Sequence, residues 1–156
     1  MNGFPFLAGK VAVVTGASRG IGKGIATVLE ARGTTVYVTG RTTAAGSNAT
    51  SGTINEVAKT IAELGGVGIA VRCDHADDAK IKALFEQVET EQGNLDISVN
   101  HIRECREIRA IFGFLRERKA DLMIIGPHQR DFYIARLWST AYELGREGPC
   151  NILGVK

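Results

Sequence analysis

Short apolar runs alternate along the chain with longer segments in which apolar residues recur every three or four positions. The runs are rich in β-branched residues and lack polar alternation, which is typical of strands buried on both faces of a parallel sheet. The longer segments have the periodicity of amphipathic helices. We predict six strands, over residues 10–15, 35–40, 67–73, 95–99, 121–126 and 151–155.

Five helices are predicted between these strands, over residues 20–32, 53–65, 77–92, 102–118 and 134–146. Gly33 ends the first helix, and Thr53 with Glu56 has the capping-box spacing at the start of the second. Strict strand–helix alternation with right-handed crossovers predicts an α/β fold, a doubly wound parallel sheet between two helical layers with strand order 3-2-1-4-5-6. No linker interrupts the pattern, so residues 1–156 are predicted to form a single domain.

The composition excludes several classes of protein. With 156 residues, 44% hydrophobic and 23% charged, the chain has the composition of one globular domain. A net charge of +2 is too small to favour nucleic acid or an anionic membrane as partner, and no apolar stretch is long enough to span a bilayer. Residues 1–9 lack a signal-peptide pattern, so a cytoplasmic location is expected.

The cysteines and histidines do not predict a metal site or a disulfide framework. Cys73, Cys105 and Cys150 are widely spaced and odd in number, and the three histidines form no ligand-like pair. Cys73 ends a predicted buried strand and is expected to be an inert packing residue. We therefore predict a reduced protein without a bound metal.

The loop between the first predicted strand and the first helix reads TGASRGIG, over residues 15–22. Gly16 permits a tight turn off the strand, Gly20 lets backbone amides approach a pyrophosphate, and Gly22 lets the helix pack closely on the sheet. The helix N-terminus offers free N–H groups and a positive dipole end to phosphates. The strand–loop–helix–strand context predicts a dinucleotide site of the Rossmann type.

These residues resemble the short-chain dehydrogenase/reductase family, whose cofactor motif Thr-Gly-x3-Gly-x-Gly is met in full. The resemblance continues through YVTGR at residues 37–41, CD at 73–74 and LDISVN at 95–100, and it covers about residues 7–100. It implies that Asp74 lies near the adenine and that Asn100 begins the Asn-Asn-Ala-Gly segment. The cofactor-binding residues expected from it are Gly16, Ser18, Arg19, Gly20, Ile21, Gly22, Arg41, Asp74 and Asn100.

Charge at the end of the second strand indicates which cofactor is preferred. NAD-selective sites place an acidic residue there for the ribose 2′-hydroxyl, whereas this chain has Gly40-Arg41. Arg19 in the glycine loop supplies a second guanidinium, and two such groups on one phosphate suit the 2′-phosphate of NADP. We predict NADP(H) ahead of NAD(H) or ATP; the alternative is that both arginines are solvated surface residues.

The family's catalytic residues are not found at the matching positions. After Asn100 the chain continues His101-Ile102-Arg103 in place of Asn-Ala-Gly. The family also uses Ser, Tyr and Lys, the last two spaced Tyr-x3-Lys so that the lysine lowers the tyrosine pKa. The most similar spacing is Tyr142-x3-Arg146, whose arginine cannot take the role of the lysine. No catalytic residue is therefore assigned, and little or no turnover is expected.

The remaining residues, 101–156, are similar to the C-terminal part of universal stress proteins, through KADLMIIGPH at 119–128 and GPCNILGV at 148–155. In ATP-binding members a Gly-x2-Gly-x9-Gly-Ser/Thr motif falls where this chain has Gly126, Gln129, Ser139 and Thr140. Two glycines are replaced, which disfavours ATP. The chain thus resembles a chimera, and three hypotheses stay open: an NADP(H)-binding module, a stress-protein-like adenine-nucleotide binder, and a structural chimera without ligand. The stress-protein resemblance also implies a homodimer through residues 151–155.

Overall fold

The computed structural model describes residues 7–44, 52–102, 122–127 and 151–154. Strands and helices alternate through the first two of these ranges, as the apolar pattern predicts. In chain order the elements are β1 Val11–Val14, α1 Gly20–Glu30, β2 Thr35–Gly40, α2 Ile54–Glu63, β3 Gly68–Arg72, α3 Asp78–Gln92, β4 Ile97–Ile102, β5 Leu122–Pro127 and β6 Asn151–Gly154.

All paired strands run parallel, in the order β3-β2-β1-β4-β5-β6. The inner strand β1 pairs with β2 in the register Val11↔Thr35 and with β4 in the register Ala12↔Ile97. The predicted parallel, Rossmann-like α/β sheet is therefore confirmed for residues 7–102. The helices predicted over 102–118 and 134–146 lie almost wholly outside the described residues, so the strand number of the whole chain and the single domain stay predictions.

Helices pack on both faces of the sheet. Tyr37 and its neighbours on β2 point to opposite faces because side chains alternate along a strand. The hydroxyl of Tyr37 donates a 2.7 Å hydrogen bond to Glu91 Oε2 on α3, which places α3 on one face. Val36 and Val38 face α1 and α2 on the other side. The core on that side contains Ala12, Val14, Ala26, Leu29, Val36, Val38, Ile54, Val57, Ile61, Ile97 and Val99.

Two of these helices begin with side-chain caps that are visible in the sequence. The Glu56 amide donates to Thr53 Oγ1 at 3.0 Å, and the Thr53 amide donates to Glu56 Oε2 at 2.9 Å, which confirms the predicted capping box of α2. The Asp77 carboxylate accepts from the Ala79 amide at the start of α3. Both helices therefore satisfy backbone donors that a helix N-terminus would otherwise leave free.

Strand β4 begins two residues later and ends three residues later than the predicted 95–99. The reason is the side chain of Asp96, whose Oδ2 accepts from the Val11 amide at 2.8 Å and whose Oδ1 pairs with Lys10 Nζ at 2.7 Å. At its other end, β4 stays in the sheet because Asn100 and His101 pair with β5. Across the described part of the chain, no helix has both the length and the apolar character needed to cross a membrane.

Candidate functional site

The carboxyl ends of β1, β2, β3 and β4 meet at one edge of the sheet, where the strand order reverses. The chain leaves β1 towards β2 and later returns to place β4 on the opposite side of β1. In open α/β sheets a crevice for ligands forms outside the carboxyl ends of the strands at this reversal. The loop that follows β1, residues 15–19, lies at this crevice.

Two backbone hydrogen bonds hold the glycine loop between its neighbouring strands. The Thr15 amide donates to Val99 O of β4 at 2.9 Å, and the Ala17 amide donates to Thr39 O of β2 at 3.0 Å. Between these two bonds Gly16 adopts φ 62°, a left-handed conformation that favours glycine. The loop is therefore fixed to both strands that border the crevice.

The other two glycines of the motif have different tasks. Gly20 has φ 55°, and a Cβ placed on it would meet no atom within 4 Å, so this position needs glycine for its backbone and faces open space. A Cβ on Gly22 would lie 2.6 Å from Gly16 O. Gly22 thus permits close packing, as predicted, but the atoms it approaches belong to the turn rather than to the sheet.

The N-terminus of α1 is built differently from those of α2 and α3. Its N-cap residue, Arg19, has φ −164° and makes no side-chain capping hydrogen bond, and the first turn contains no acidic residue. The first amides of a helix have no intrahelical partner, and the dipole gives this end a partial positive charge. Among the three described helices, α1 alone presents its first turn without a side-chain cap. This arrangement suits a phosphate group.

Arg19 extends to the end of β2, where Arg41 also lies. Its Nη2 donates to Thr42 Oγ1 across 3.5 Å, and Thr42 is buried beside the exposed Arg41. Thr42 is itself held by the Ile54 amide, which donates to its carbonyl oxygen at 3.0 Å. The structure therefore brings the two predicted arginines to the same end of β2. The sequence analysis did not include Thr42, because only the contact with Arg19 distinguishes it from other loop threonines.

The remaining predicted residues differ in exposure. Asp74 is half-buried after β3 and accepts from the Ala76 amide at 3.2 Å. Ser18 is buried, whereas the side chain of Ile21 is 72% exposed. Asn100 is buried in β4, and its Nδ2 donates to Ser98 Oγ at 2.9 Å. Its Oδ1 has no hydrogen-bond partner in the part of the chain that the structure describes, and such a buried acceptor costs about 1–3 kcal/mol.

One group at the same edge was missed from the sequence. The Nε2 atom of His75 lies 2.8 Å from Thr39 Oγ1, and its Nδ1 atom lies 3.8 Å from Cys73 Sγ. Burial lowers the pKa of His75 from 6.5 to about 4, against the nearby Asp74, whose charge raises it. Cys73 is buried, as expected of a packing residue, but it also contacts the imidazole. No sequence spacing identifies these contacts, since Thr39 is 36 residues from His75.

Several residues named in the sequence analysis lie in the C-terminal part of the chain. The side chains of His101 and Gly126–Pro127 belong to strands described through their backbone only, and Gln129, Ser139, Thr140, Tyr142 and Arg146 lie outside the described residues. Within residues 7–44, 52–102 and the two C-terminal strands, no group of three or more His, Cys, Asp or Glu side chains is placed to hold a metal ion.

Comparison with known sequences identifies relatives of the part that contains the crevice. The family described as short chain dehydrogenase matches residues 10–101. Dehydrogenase/reductase SDR family member 1 of Homo sapiens is 47% identical over 94 residues, which are 60% of this chain and 28% of that protein. Tetrahydroxynaphthalene reductase PfmaG of Pestalotiopsis fici is 38% identical over 97 residues, 62% of this chain and 32% of that protein. The matched segment thus spans about a third or less of these relatives.

Solved structures share the fold at lower identity. Hydroxysteroid dehydrogenase from Escherichia coli superposes with a TM-score of 0.73 at 20% identity, over 91% of this chain and 66% of that one. A metagenomic short-chain oxidoreductase in complex with NADP gives a TM-score of 0.69 at 24% identity, over 95% and 81%. A 7α-hydroxysteroid dehydrogenase complexed with NADH gives 0.75 at 20% identity, over 96% and 71%. The family match itself covers more than half of the residues, so the chain belongs to the short chain dehydrogenase family.

Proposed function

We propose that the crevice formed by residues 7–102 binds NADP(H). The observation that carries the proposal is the first turn of α1. This turn has no side-chain cap, and Gly20 leaves open space beside it, because a Cβ there would meet no atom within 4 Å. A pyrophosphate fits this position because it accepts hydrogen bonds from the free amides and carries the charge that the helix dipole favours. Two structural neighbours, one in complex with NADP and one complexed with NADH, support a nicotinamide dinucleotide as the ligand.

The polar groups around the crevice fit the rest of such a ligand. Asp74, at the end of β3, is the acceptor proposed for the adenine side. The buried Oδ1 of Asn100 lacks a described partner, and a ribose hydroxyl is a donor that would satisfy it. The residues proposed to hold the dinucleotide are those predicted from the sequence, Gly16, Ser18, Arg19, Gly20, Ile21, Gly22, Arg41, Asp74 and Asn100, together with Thr42.

The end of β2 supports a preference for NADP(H) over NAD(H). Arg19 and Arg41 are both at this end, and the two residues that follow β2, Arg41 and Thr42, include no carboxylate. A 2′-phosphate here would accept charge-assisted hydrogen bonds from the guanidinium groups. The hydroxyl of Thr42, already in contact with Arg19, supplies a further polar group at this position.

We further propose that this chain binds the dinucleotide with little or no turnover. When bound, the nicotinamide ring supplies or accepts a hydride. A hydride transfer at a carbonyl or alcohol also needs a group that exchanges a proton with the oxygen. None of the three tyrosines, at positions 37, 133 and 142, is followed four residues later by lysine. Residues 1–156 therefore contain no counterpart of the family's Tyr-x3-Lys pair.

The stress-protein-like interpretation of residues 101–156 is kept as a separate hypothesis. It rests on the residue pattern of positions 119–128 and 148–155 alone, and the family match ends at residue 101. Its ATP site, its homodimer through residues 151–155 and the chimeric origin of the chain belong to the same hypothesis. Binding of ATP in preference to NADPH would favour it.

The first experiment is a calorimetric titration of the purified protein with NADPH, NADH and ATP. Gly20→Leu places a side chain in the open space at the first turn of α1, and we expect it to weaken NADPH binding at least tenfold. Gly24→Leu is the control, because it adds the same side chain to the same helix at a position where a Cβ meets no atom within 4 Å. Equal NADPH affinities for the two variants would contradict the proposed phosphate position.

A second variant tests the cofactor preference. Arg41→Asp replaces a guanidinium with the acidic group typical of NAD-selective sites. A charge-assisted hydrogen bond contributes about 1.5–3 kcal/mol, so NADPH affinity is expected to fall about tenfold to a hundredfold while NADH affinity holds or rises. An unchanged ratio of the two affinities would mean that Arg41 is a solvated surface residue.

A further inference from the structure

A line of four polar groups crosses the carboxyl edge of three adjacent strands. It runs from Val14 O of β1 to Thr39 Oγ1 of β2 at 3.2 Å, on to His75 Nε2 at 2.8 Å, and from His75 Nδ1 to Cys73 Sγ at 3.8 Å. Val14 directly precedes the glycine loop, and His75 directly follows Asp74. The line therefore joins the phosphate side of the crevice to its adenine side.

The direction of each hydrogen bond follows from the number of protons available. The Val14 carbonyl can only accept, and two oxygens 3.2 Å apart without a proton between them would repel, so the Thr39 hydroxyl donates its one proton to Val14. Thr39 Oγ1 must then accept from His75, which places a proton on Nε2. In a neutral imidazole the other ring nitrogen is an acceptor, so the Cys73 thiol donates to Nδ1.

The surroundings keep the imidazole neutral. Burial disfavours the charged ring and lowers its pKa to about 4, while the adjacent carboxylate of Asp74 acts in the opposite direction. Cys73 is 1% exposed, so its thiol lies beside the ring away from solvent. Each group in the line then has the protonation state that its neighbour requires.

Thr39 connects this line to the glycine loop a second time. Its carbonyl oxygen accepts from the Ala17 amide at 3.0 Å, while its hydroxyl accepts from His75 and donates to Val14. One residue of β2 thus bonds the end of β1, the glycine loop that follows it and the turn after β3, through one hydrogen bond each. Without the imidazole, the turn that carries Asp74 loses its side-chain connection to Thr39.

We propose that His75, as its Nε2–H tautomer, is a positioning residue of the crevice that fixes the turn carrying Asp74 relative to the glycine loop. The inference deepens the proposed NADP(H) site and rests on it for its functional consequence. Its structural part, the tautomer, is independent of any ligand. Glutamine at position 75 can keep the essential donor, because its side-chain amide can donate to Thr39 Oγ1, whereas leucine removes it.

The tautomer is tested first, without nucleotide, by long-range ¹H–¹⁵N NMR of the uniformly labelled full chain. The signals of His75 are assigned as those that vanish in His75→Gln, among the three histidines of the chain. We expect Nε2 protonated, Nδ1 unprotonated and no titration between pH 8 and pH 5. A ring protonated on Nδ1, or doubly protonated at pH 6, would overturn the inference. Thr39→Val removes the acceptor of the Nε2–H and should change the Nε2 signal.

The functional arm compares NADPH titrations of the wild type, His75→Gln and His75→Leu. Loss of one net hydrogen bond predicts about tenfold weaker binding for His75→Leu, with His75→Gln within about twofold of the wild type. Rescue by glutamine separates the hydrogen bond from mere packing. Wild-type affinity in His75→Leu, or equal losses in both variants, would refute the positioning role. Failure of the wild type to bind NADPH would reject the proposed function, while the NMR result would still decide the tautomer.

Discussion

Replacing Gly22 with alanine tests whether close packing on the turn fixes the start of α1. The added Cβ would lie 2.6 Å from Gly16 O, 2.9 Å from Gly16 C and 3.0 Å from the Cα of Ala17. All three are backbone atoms of a turn held by hydrogen bonds to β2 and β4, so no flexible side-chain end can move aside. Overpacking of this kind costs about 1–3 kcal/mol.

Gly24→Ala is the control that isolates this cost. Both substitutions are in α1, and alanine at either position gains helix propensity, up to about 1 kcal/mol in a helix interior. A Cβ on Gly24 meets no atom within 4 Å, so this variant gains the propensity without the clash. The propensity largely cancels in the comparison, and the difference between the two variants, about 1–3 kcal/mol, measures the contact with the turn.

The assay is urea denaturation of both variants and the wild type, followed by far-ultraviolet circular dichroism. We expect Gly24→Ala to be the more stable variant, and the free energy of unfolding of Gly22→Ala to be lower by the cost of overpacking. Equal free energies of unfolding would mean that the turn yields to a methyl group at little cost. The close approach of Gly22 to Gly16 would then not explain why glycine stands there.

Three further predictions concern stability. The pKa of His75 is lowered from 6.5 to about 4 by folding, so its contribution to the free energy of unfolding is complete above pH 6.5 and is lost as the pH falls towards 4. At pH 5 about 2 kcal/mol of the free energy of unfolding is lost. Denaturation at pH 8 and pH 5 should detect this loss in the wild type but not in His75→Gln. An equal change in the free energy of unfolding between the two pH values in both proteins would contradict the prediction. Thr53→Ala removes the capping box of α2 and should cost about 1 kcal/mol, with Thr53→Ser near the wild type in the same urea assay. Asp96→Ala removes the carboxylate that accepts from the Val11 amide and should cost about 2–3 kcal/mol. Lys10→Met, which breaks the partly exposed ion pair with Asp96, should cost under about 1 kcal/mol, and similar losses of stability in the two variants would contradict this prediction.

The elements that the sequence predicted well are those defined by local signals. Thr53 and Glu56 are three residues apart, and their mutual hydrogen bonds need no other part of the protein. The same holds for Gly33, which follows the end of α1 and adopts a left-handed φ of 84°. Strand β1 is buried along its whole length, so its sequence is a continuous apolar run without the polar alternation of a strand with one exposed face. The sequence signals of these features lie within a few positions of one another.

The errors concern pairs that the fold brings together from distant positions. The start of β4 was misplaced because the carboxylate of Asp96 binds an amide 85 residues away, at Val11. Thr42 was overlooked because its contact with Arg19 spans 23 residues. For the candidate site, the sequence could predict which backbone positions need glycine, but not which side chains connect the loops that surround them.

The position of β1 in the sheet has a consequence for the order of folding. Strand β1 pairs with β2 after the single helix α1, but its other edge pairs with β4, which is synthesised about 85 residues later. The Ala17–Thr39 bond of the glycine loop can therefore form well before the Thr15–Val99 bond. Until β4 docks, Val11–Val14 present an apolar strand with an unpaired edge, and such edges pair readily with other chains. Aggregation can therefore compete with folding during this interval, and the docking of β4 that ends it also completes the crevice.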